Sequence, residues 1–136
     1  MPYFSLLLTL VLFCACSSTT SPKPLKRTYW SLVELNGHNT QNEDHQPPSH
    51  LLFHVNDNTL HGSDGCNSIQ ANYTQKGENF HFTSIHTSKI ICKEGSTQAK
   101  EFLKTLQKTS RFIIDNNEMF FYNKEEEIAH FEAKED

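Results

Sequence analysis

The sequence predicts a mainly β protein, a small antiparallel and barrel-like sheet of about seven or eight strands covered by one α-helix. Short stretches alternate between apolar and polar residues and are separated by turn sequences such as Asn36-Gly37. One stretch, residues 96–109, repeats apolar residues with helical spacing. The chain has 136 residues, enough for one compact domain of about 120 residues after an N-terminal leader is removed.

Residues 1–16 are typical of a secretory leader. The apolar run Leu6 to Phe13 is shorter than the ~20 residues that a membrane-spanning helix needs, and it ends beside Cys14 and Cys16. Ala15 directly before Cys16 resembles the lipobox of bacterial lipoproteins, in which the cysteine becomes the acylated N-terminus. Cys16 is therefore the expected lipidation site. Acylation at Cys14, ordinary cleavage with free secretion, and an uncleaved anchor remain alternatives.

The resemblance to lipoprotein sorting signals also predicts a location. Ser17, in place of Asp after the acylated cysteine, points to the outer membrane, with the protein facing the periplasm. Residues 17–27 are rich in Ser, Thr, Pro and Lys and are expected to be a flexible tether. The folded domain is then expected to cover residues 28–136, with the membrane as a partner through the lipid anchor alone.

The first half of the domain is predicted to contain five strands. Residues 28–35 form the first and end at Asn36-Gly37, and residues 38–49 are a polar loop. In the next strand Leu51, Phe53 and Val55 face one side of the sheet. The remaining three strands are predicted at residues 59–63, 69–74 and 79–83.

The second half begins with the only strong helix signal. Ser96 is a suitable cap, and the apolar stripe consists of Ala99, Phe102, Leu103 and Leu106. The helix should therefore cover one apolar face of the sheet. A hairpin of residues 111–115 and 118–122 follows, turning at two adjacent asparagines, and residues 127–131 are the last predicted strand.

The charge and the motifs of the chain limit the partners that it is expected to bind. The net charge is −4, and no basic patch reaches the density that phosphate contacts need, so no nucleic-acid partner is expected. No cofactor is expected, and the chain is predicted to be a monomer.

Two of the four cysteines remain in the mature domain after those of the leader are set aside. In an exported protein the pair Cys66 and Cys92 is expected to form a disulfide, which would close a loop of about 27 residues. Such a bond would stabilise the fold by roughly 3 kcal/mol in the chain-entropy model. Two buried free thiols are the alternative. No CxxC sequence supports a redox-active motif or a zinc knuckle.

Several short motifs follow one another in an order that resembles the META domain family, also called the HslJ-like family. The resemblance covers Thr28 to Phe131. The matching positions are Trp30, Gly62, Gly65, Cys66, Asn67, Tyr73, Cys92 and Glu101. Three positions depart from the family pattern: Ala71 replaces a glycine, Ser88 a threonine, and Ile90-Ile91 a methionine-rich pair. The resemblance implies a barrel-like sheet with one helix and a role in envelope or heat stress, and it implies no assigned biochemical activity.

We therefore expect a non-catalytic envelope protein, not an enzyme, that supports envelope homeostasis by binding an envelope protein or a small apolar ligand. A periplasmic metal-binding protein is the alternative, because the chain has 8 histidines and His50, His54 and His81 alternate onto strand faces. A hydrolase using Ser63, Asp64 and a histidine is less favoured, because Ser63 lacks the G-x-S-x-G frame.

Overall fold

The computed structural model describes residues 17, 21–41, 47–92 and 96–135. The predicted leader, with Cys14 and the lipidation site Cys16, lies outside the described residues. Within the described ranges, no helix is long and apolar enough to cross a membrane.

The described residues form one antiparallel sheet and one α-helix. The bounds are β1 Tyr29–Leu35, β2 His38–Asn39, β3 His50–Phe53, β4 Thr59–Ser63, β5 Ser68–Lys76, β6 Asn79–Thr87, α1 Ser96–Lys108, β7 Arg111–Asp115, β8 Glu118–Asn123 and β9 Glu126–Lys134. The strand order is β2-β1-β3-β4-β5-β6-β7-β8-β9, and β1 also pairs with β9, so the sheet is ring-like. The predicted fold class, a mainly β antiparallel sheet with one helix, is confirmed.

The turns form where the sequence predicts them. Asn36 and Gly37 both adopt positive φ, at 50° and 80°, between β1 and β2. Asn116 does the same between β7 and β8, with φ of 54°. Asparagine and glycine tolerate this left-handed backbone region better than other residues, which is why they occupy tight hairpin turns.

Aromatic side chains fill the interior of the ring. Phe80 has no exposed surface, and its ring centroid lies 5.0 Å from Tyr73, 5.5 Å from Phe112 and 5.7 Å from Phe121. The helix contributes the buried side chains Ala99, Phe102 and Leu106, as its spacing predicts. The helix therefore covers part of the same hydrophobic core.

The structure differs from the predicted elements at several strand ends. Strand β2 lies inside the predicted loop 38–49, where His38 pairs with Leu35. Strands β6 and β9 are longer than predicted, because backbone pairing continues along polar stretches that periodicity does not identify. Val55 was expected to face the core with Phe53, but β3 ends at Phe53 and Val55 is 43% exposed.

The end of the predicted tether contacts the sheet. The Lys23 amide donates a hydrogen bond to the Asn116 carbonyl at 2.7 Å, and the Arg27 amide donates to the Phe53 carbonyl. The indole Nε1 of the buried Trp30 donates to the Leu25 carbonyl at 3.0 Å. Hydrogen bonds therefore attach residues 23–27 to the sheet and its core.

Candidate functional site

Four of the family positions, Gly62, Gly65, Cys66 and Asn67, lie at the end of β4 and in the loop between β4 and β5, residues 64–67. Asp64 is almost fully buried, and its Oδ1 accepts the backbone N–H groups of Cys66 and Asn67 at 2.8 and 2.5 Å. The Ser63 hydroxyl accepts the N–H of Gly65 at 3.0 Å. These side chains hold the loop in one conformation through bonds to its own backbone.

Two glycines are required at the end of β4 and in this loop. A Cβ on Gly62 would collide with the carbonyl oxygen of His50 on β3. Gly65 has a φ of 91°, and a Cβ there would lie 3.1 Å from the Ser49 hydroxyl. The two positions therefore need glycine for different reasons, close strand approach at Gly62 and a left-handed backbone at Gly65.

The loop holds a second segment, residues 88–92, which we call the pinned segment. The side-chain Oδ1 of Asn67 accepts the N–H of Ile90 at 2.6 Å and the hydroxyl of Ser88 at 3.0 Å. Cys66 and Cys92 lie at disulfide distance, with Cα atoms 6.0 Å apart. This geometry agrees with the predicted pairing. A side-chain clamp therefore attaches the segment to the loop, and the two cysteines are placed to add a covalent bond.

The pinned segment presents two isoleucines to solvent. Ile90 is 63% exposed and Ile91 is 95% exposed. Beside them lies a shallow groove of about 370 Å³, whose far wall is formed by Lys100 and Leu103 of α1. Adjacent large apolar side chains that are exposed on a hydrogen-bonded backbone are typical of an interaction surface.

The residues suggested for a hydrolase do not form a nucleophile and base. Ser63 and Asp64 already accept backbone N–H groups of the loop. His50 lies opposite Ser63 in the β3–β4 register, but its Nδ1 is 2.8 Å from the Pro48 carbonyl and its ring stacks on Tyr29. Within the described residues, these groups therefore make no contact that would activate the Ser63 hydroxyl.

The remaining motif positions lie away from the loop. Trp30 is a core residue, and Tyr73 packs between Phe53 and Phe80 with its side chain almost fully buried. Burial raises the pKa of the Tyr73 phenol above its ordinary value of 10.0. Glu101 is exposed on α1 and faces the residues around β2 across a second shallow groove.

The three histidines suggested for a metal site do not come together. His50 begins β3, whereas His81 lies on β6 opposite Thr74. His54 instead approaches His61 of β4, with its Nε2 2.7 Å from His61 Nδ1. We call His54 and His61 the histidine pair. The sequence did not identify His61, because the contact depends on the register of β3 against β4.

Polar groups of the β3–β4 turn orient the histidine pair. His54 Nδ1 lies 2.6 Å from the Thr59 hydroxyl, and that hydroxyl donates to Asp57 Oδ1 at 2.5 Å. This bond, with smaller contributions from the Thr59 backbone N–H and from the neighbouring His54 and Lys26, lowers the pKa of Asp57. Partial burial lowers the pKa of His61, and the neighbouring His54 and His50 lower it further. No group of three His, Cys, Asp or Glu side chains surrounds a single point within the described ranges.

Comparison with known proteins gives a family and a fold. The sequence model of the META domain matches residues 23–136. A protein from Burkholderia xenovorans solved by NMR is 18% identical, with a TM-score of 0.66 over 88% of this chain and 96% of that chain. A second NMR structure is 12% identical, with a TM-score of 0.63 over 79% of this chain and 90% of the other. No curated protein matches the chain.

Proposed function

Because the chain belongs to the META domain family, we propose that it is a non-catalytic, lipid-anchored protein of the cell envelope that binds a partner protein through the pinned segment. One observation carries the proposal: Ile90 and Ile91 are exposed although Asn67 and Cys66 hold their backbone in place. Exposing ordered isoleucines to water is unfavourable, whereas burying each one against a partner would contribute about 1.5–3 kcal/mol.

The position of the pinned segment favours a protein partner over the membrane. Strand β4 runs from the 54–58 turn to the loop 64–67, a distance of about 17 Å. Lys26 contacts the 54–58 turn, since its Nζ donates to the Asp57 carbonyl at 2.9 Å. The chain therefore enters the domain at one end of β4, and the isoleucines lie at the other. If Cys16 carries the lipid anchor, Ile90 and Ile91 lie at the end of β4 opposite to the one at which the anchored chain enters the domain.

The envelope location rests on the predicted leader and on the cysteine pair. Disulfides persist in oxidising compartments such as the periplasm and are rare in the cytosol. The approach of Cys66 to Cys92 and the lipobox-like Ala15-Cys16 support the same compartment, at the outer membrane facing the periplasm. A role in envelope homeostasis or stress follows from the family resemblance and belongs to the same proposal.

A binding role also suits the chemistry of the loop. The Ser63 hydroxyl and the Oδ1 of the buried Asp64 accept backbone N–H groups of the loop and hold its conformation. Purified protein should therefore hydrolyse no ester or peptide substrate faster than its Ser63→Ala variant. A rate that falls with that substitution would contradict the non-catalytic proposal.

Site-specific photocrosslinking tests the binding surface. A photoreactive amino acid at Ile91 of the full-length protein in its native cells should give one discrete protein adduct. The same amino acid at Val55, an exposed apolar position at the other end of β4, is the control and should give none. The Ile91 adduct should disappear when Ile90 is changed to Ser. An adduct that survives this change, or that forms equally at Val55, would contradict the proposed surface.

Intact mass tests the anchor separately. Protein purified from its own membrane should begin at Cys16 and carry acyl mass, and Cys16→Ser should abolish that mass. Cys14→Ser should leave it unchanged. The reverse result would move the mature N-terminus to Cys14, and a mass without acyl chains would indicate free secretion.

A further inference from the structure

The histidine pair has a defined pattern of hydrogen-bond donors and acceptors. The Thr59 hydroxyl has one proton, which it donates to the Asp57 carboxylate. Toward His54 the hydroxyl is therefore an acceptor, and His54 donates its Nδ1 proton. Neutral His54 then has no proton on Nε2, so that nitrogen accepts a hydrogen bond from Nδ1 of His61. Asp57 and Thr59 thus direct an unprotonated nitrogen of His54 toward His61.

We propose that the histidine pair binds one divalent transition-metal ion between His54 Nε2 and His61 Nδ1, with Cu²⁺ favoured over Zn²⁺ and Ni²⁺. Neutral imidazole is a preferred protein ligand for these three ions, and Cu²⁺ is the strongest binder among them. A ligating histidine is commonly oriented by a hydrogen bond from its other ring nitrogen. In His54 the Thr59 hydroxyl, itself bonded to Asp57, accepts that bond. Ca²⁺ and Mg²⁺ prefer oxygen ligands and should not bind here.

The distance between the two nitrogens requires only a small adjustment. Two neighbouring nitrogens at ~2.0–2.1 Å from the ion lie ~2.9 Å apart in the tetragonal geometry that Cu²⁺ prefers and ~3.3 Å apart in the tetrahedral geometry of Zn²⁺. The two nitrogens of the histidine pair lie 2.7 Å apart. His61 is exposed and His54 half-buried, so rotation of their side chains can supply the difference. The His61 proton would leave Nδ1, and a proton would be taken up at Nε2, so the neutral ring keeps one proton.

The surroundings leave space for the rest of the coordination shell. A shallow cavity of about 360 Å³ lies beside the pair and is lined by Gln70, Asn72 and His86 of the neighbouring strands. The Nε2 of His86 is already 2.9 Å from the Ser84 hydroxyl, and two strands separate His86 from His54. Water would therefore complete the shell of a site with two protein ligands.

Calorimetric titration of the full-length protein in detergent with Cu²⁺, and separately with Zn²⁺, tests the site. One saturable site is expected, weakened at least tenfold by either His54→Ala or His61→Ala. His81→Ala, which removes an exposed histidine on β6, is the matched control and should leave the affinity unchanged. Absence of saturable binding, or equal affinity in the wild type and both pair variants, would overturn the proposal.

Nitrogen chemical shifts of the histidine rings provide a test that needs no variant. Without metal, His54 and His61 should both be protonated at Nδ1, and Zn²⁺ should move the His61 proton to Nε2. The shifts of His81 and His86 should remain unchanged. Zinc-induced changes confined to histidines outside the pair would overturn the assignment. The site lies at the 54–58 end of β4, so these results do not depend on partner binding by the pinned segment.

Discussion

At the scale of single residues, Gly62 shows how one missing side chain sets the spacing of two strands. Gly62 pairs with Leu51 across the β3–β4 ladder, and a Cβ would collide with the backbone carbonyl of His50. A backbone group cannot rotate aside as a flexible side chain can. To make room for a Cβ at Gly62, strands β3 and β4 would have to move apart next to the loop 64–67.

We expect Gly62→Ala to lower the free energy of unfolding by about 1–3 kcal/mol, the range for forcing extra atoms into a packed site. Gly77→Asn is the control, because Gly77 has φ of 61° and open space around it, which asparagine tolerates. Its effect should stay within about 0.5 kcal/mol. Urea unfolding measures both variants. Equal stability of Gly62→Ala and wild type would show that β3 and β4 can separate freely.

Tyr73 should make the fold sensitive to high pH. Its folded-state pKa is raised above 10.0, chiefly by burial. Above pH 10 the unfolded chain loses this proton while the folded chain retains it, so the free energy of unfolding falls as pH rises through this range. Tyr73→Phe should make that fall less steep. Tyr29, whose pKa is also raised by burial, would account for part of the remaining slope.

The same substitution should be tolerated at neutral pH. The Tyr73 hydroxyl is buried and has no hydrogen-bond partner among the described residues. Removing it therefore leaves no other group unpaired, and we expect Tyr73→Phe to match or exceed the stability of the wild type at pH 7. Unfolding curves at pH 7 and above pH 10 measure both effects. If Tyr73→Phe and the wild type had the same pH dependence, the pKa of Tyr73 would be the same in the folded and unfolded states.

At the scale of elements, the pinned segment depends on a covalent bond and a side-chain clamp. The change of both Cys66 and Cys92 to Ser should lower the free energy of unfolding by roughly 3 kcal/mol, since the bond closes a loop with a sequence separation of 26 residues. Reductant should destabilise the wild type to a similar extent and leave the double variant unchanged. A wild-type melting curve that reductant does not move would contradict a disulfide in the purified protein.

The prediction of helices and strands is correct where apolar residues repeat at regular spacing and are buried in the core. The helix was identified because Ala99, Phe102 and Leu106 are spaced to share one buried face. Val55 continued the alternation of Leu51 and Phe53 in the sequence, yet it lies beyond the end of β3. Periodicity reports which side chains could share a face, but backbone pairing decides where a strand stops.

Element registers also explain why the candidate sites were only partly predictable. The pairing of Cys66 with Cys92 follows from an even number of cysteines in a domain that is expected to be exported, without knowledge of the fold. The histidine pair could not be found in that way. His54 follows the end of β3 and His61 lies within β4, and their contact depends on pairing of Leu52 with His61 across the ladder. A shift of one residue would turn His61 toward the core.

At the scale of the whole molecule, the ring of strands is unevenly joined. Strands β1 and β9 pair from Tyr29 with Lys134 to Leu35 with Ala129. Strands β6 and β7 pair only at Asn79 and Arg111 within the described part of the chain. The backbone bonds Phe80 to Ser110 and Phe112 to Glu78 extend this junction. The junction between β6 and β7 therefore has fewer backbone hydrogen bonds than the ladder between β1 and β9.

We expect the ring to open first at this junction. Regions with few backbone bonds open locally at a free energy below that of global unfolding. The amides of Phe80 and Phe112 should therefore exchange hydrogen faster than the bonded amides of the β1–β9 ladder. Low urea concentrations should hardly change exchange at the junction, because little surface is exposed there, but should strongly accelerate exchange in the ladder. Equal rates with equal urea dependence at both places would mean that the aromatic core around Phe80 binds the two strands as firmly as the ladder does, and that the ring unfolds as one unit.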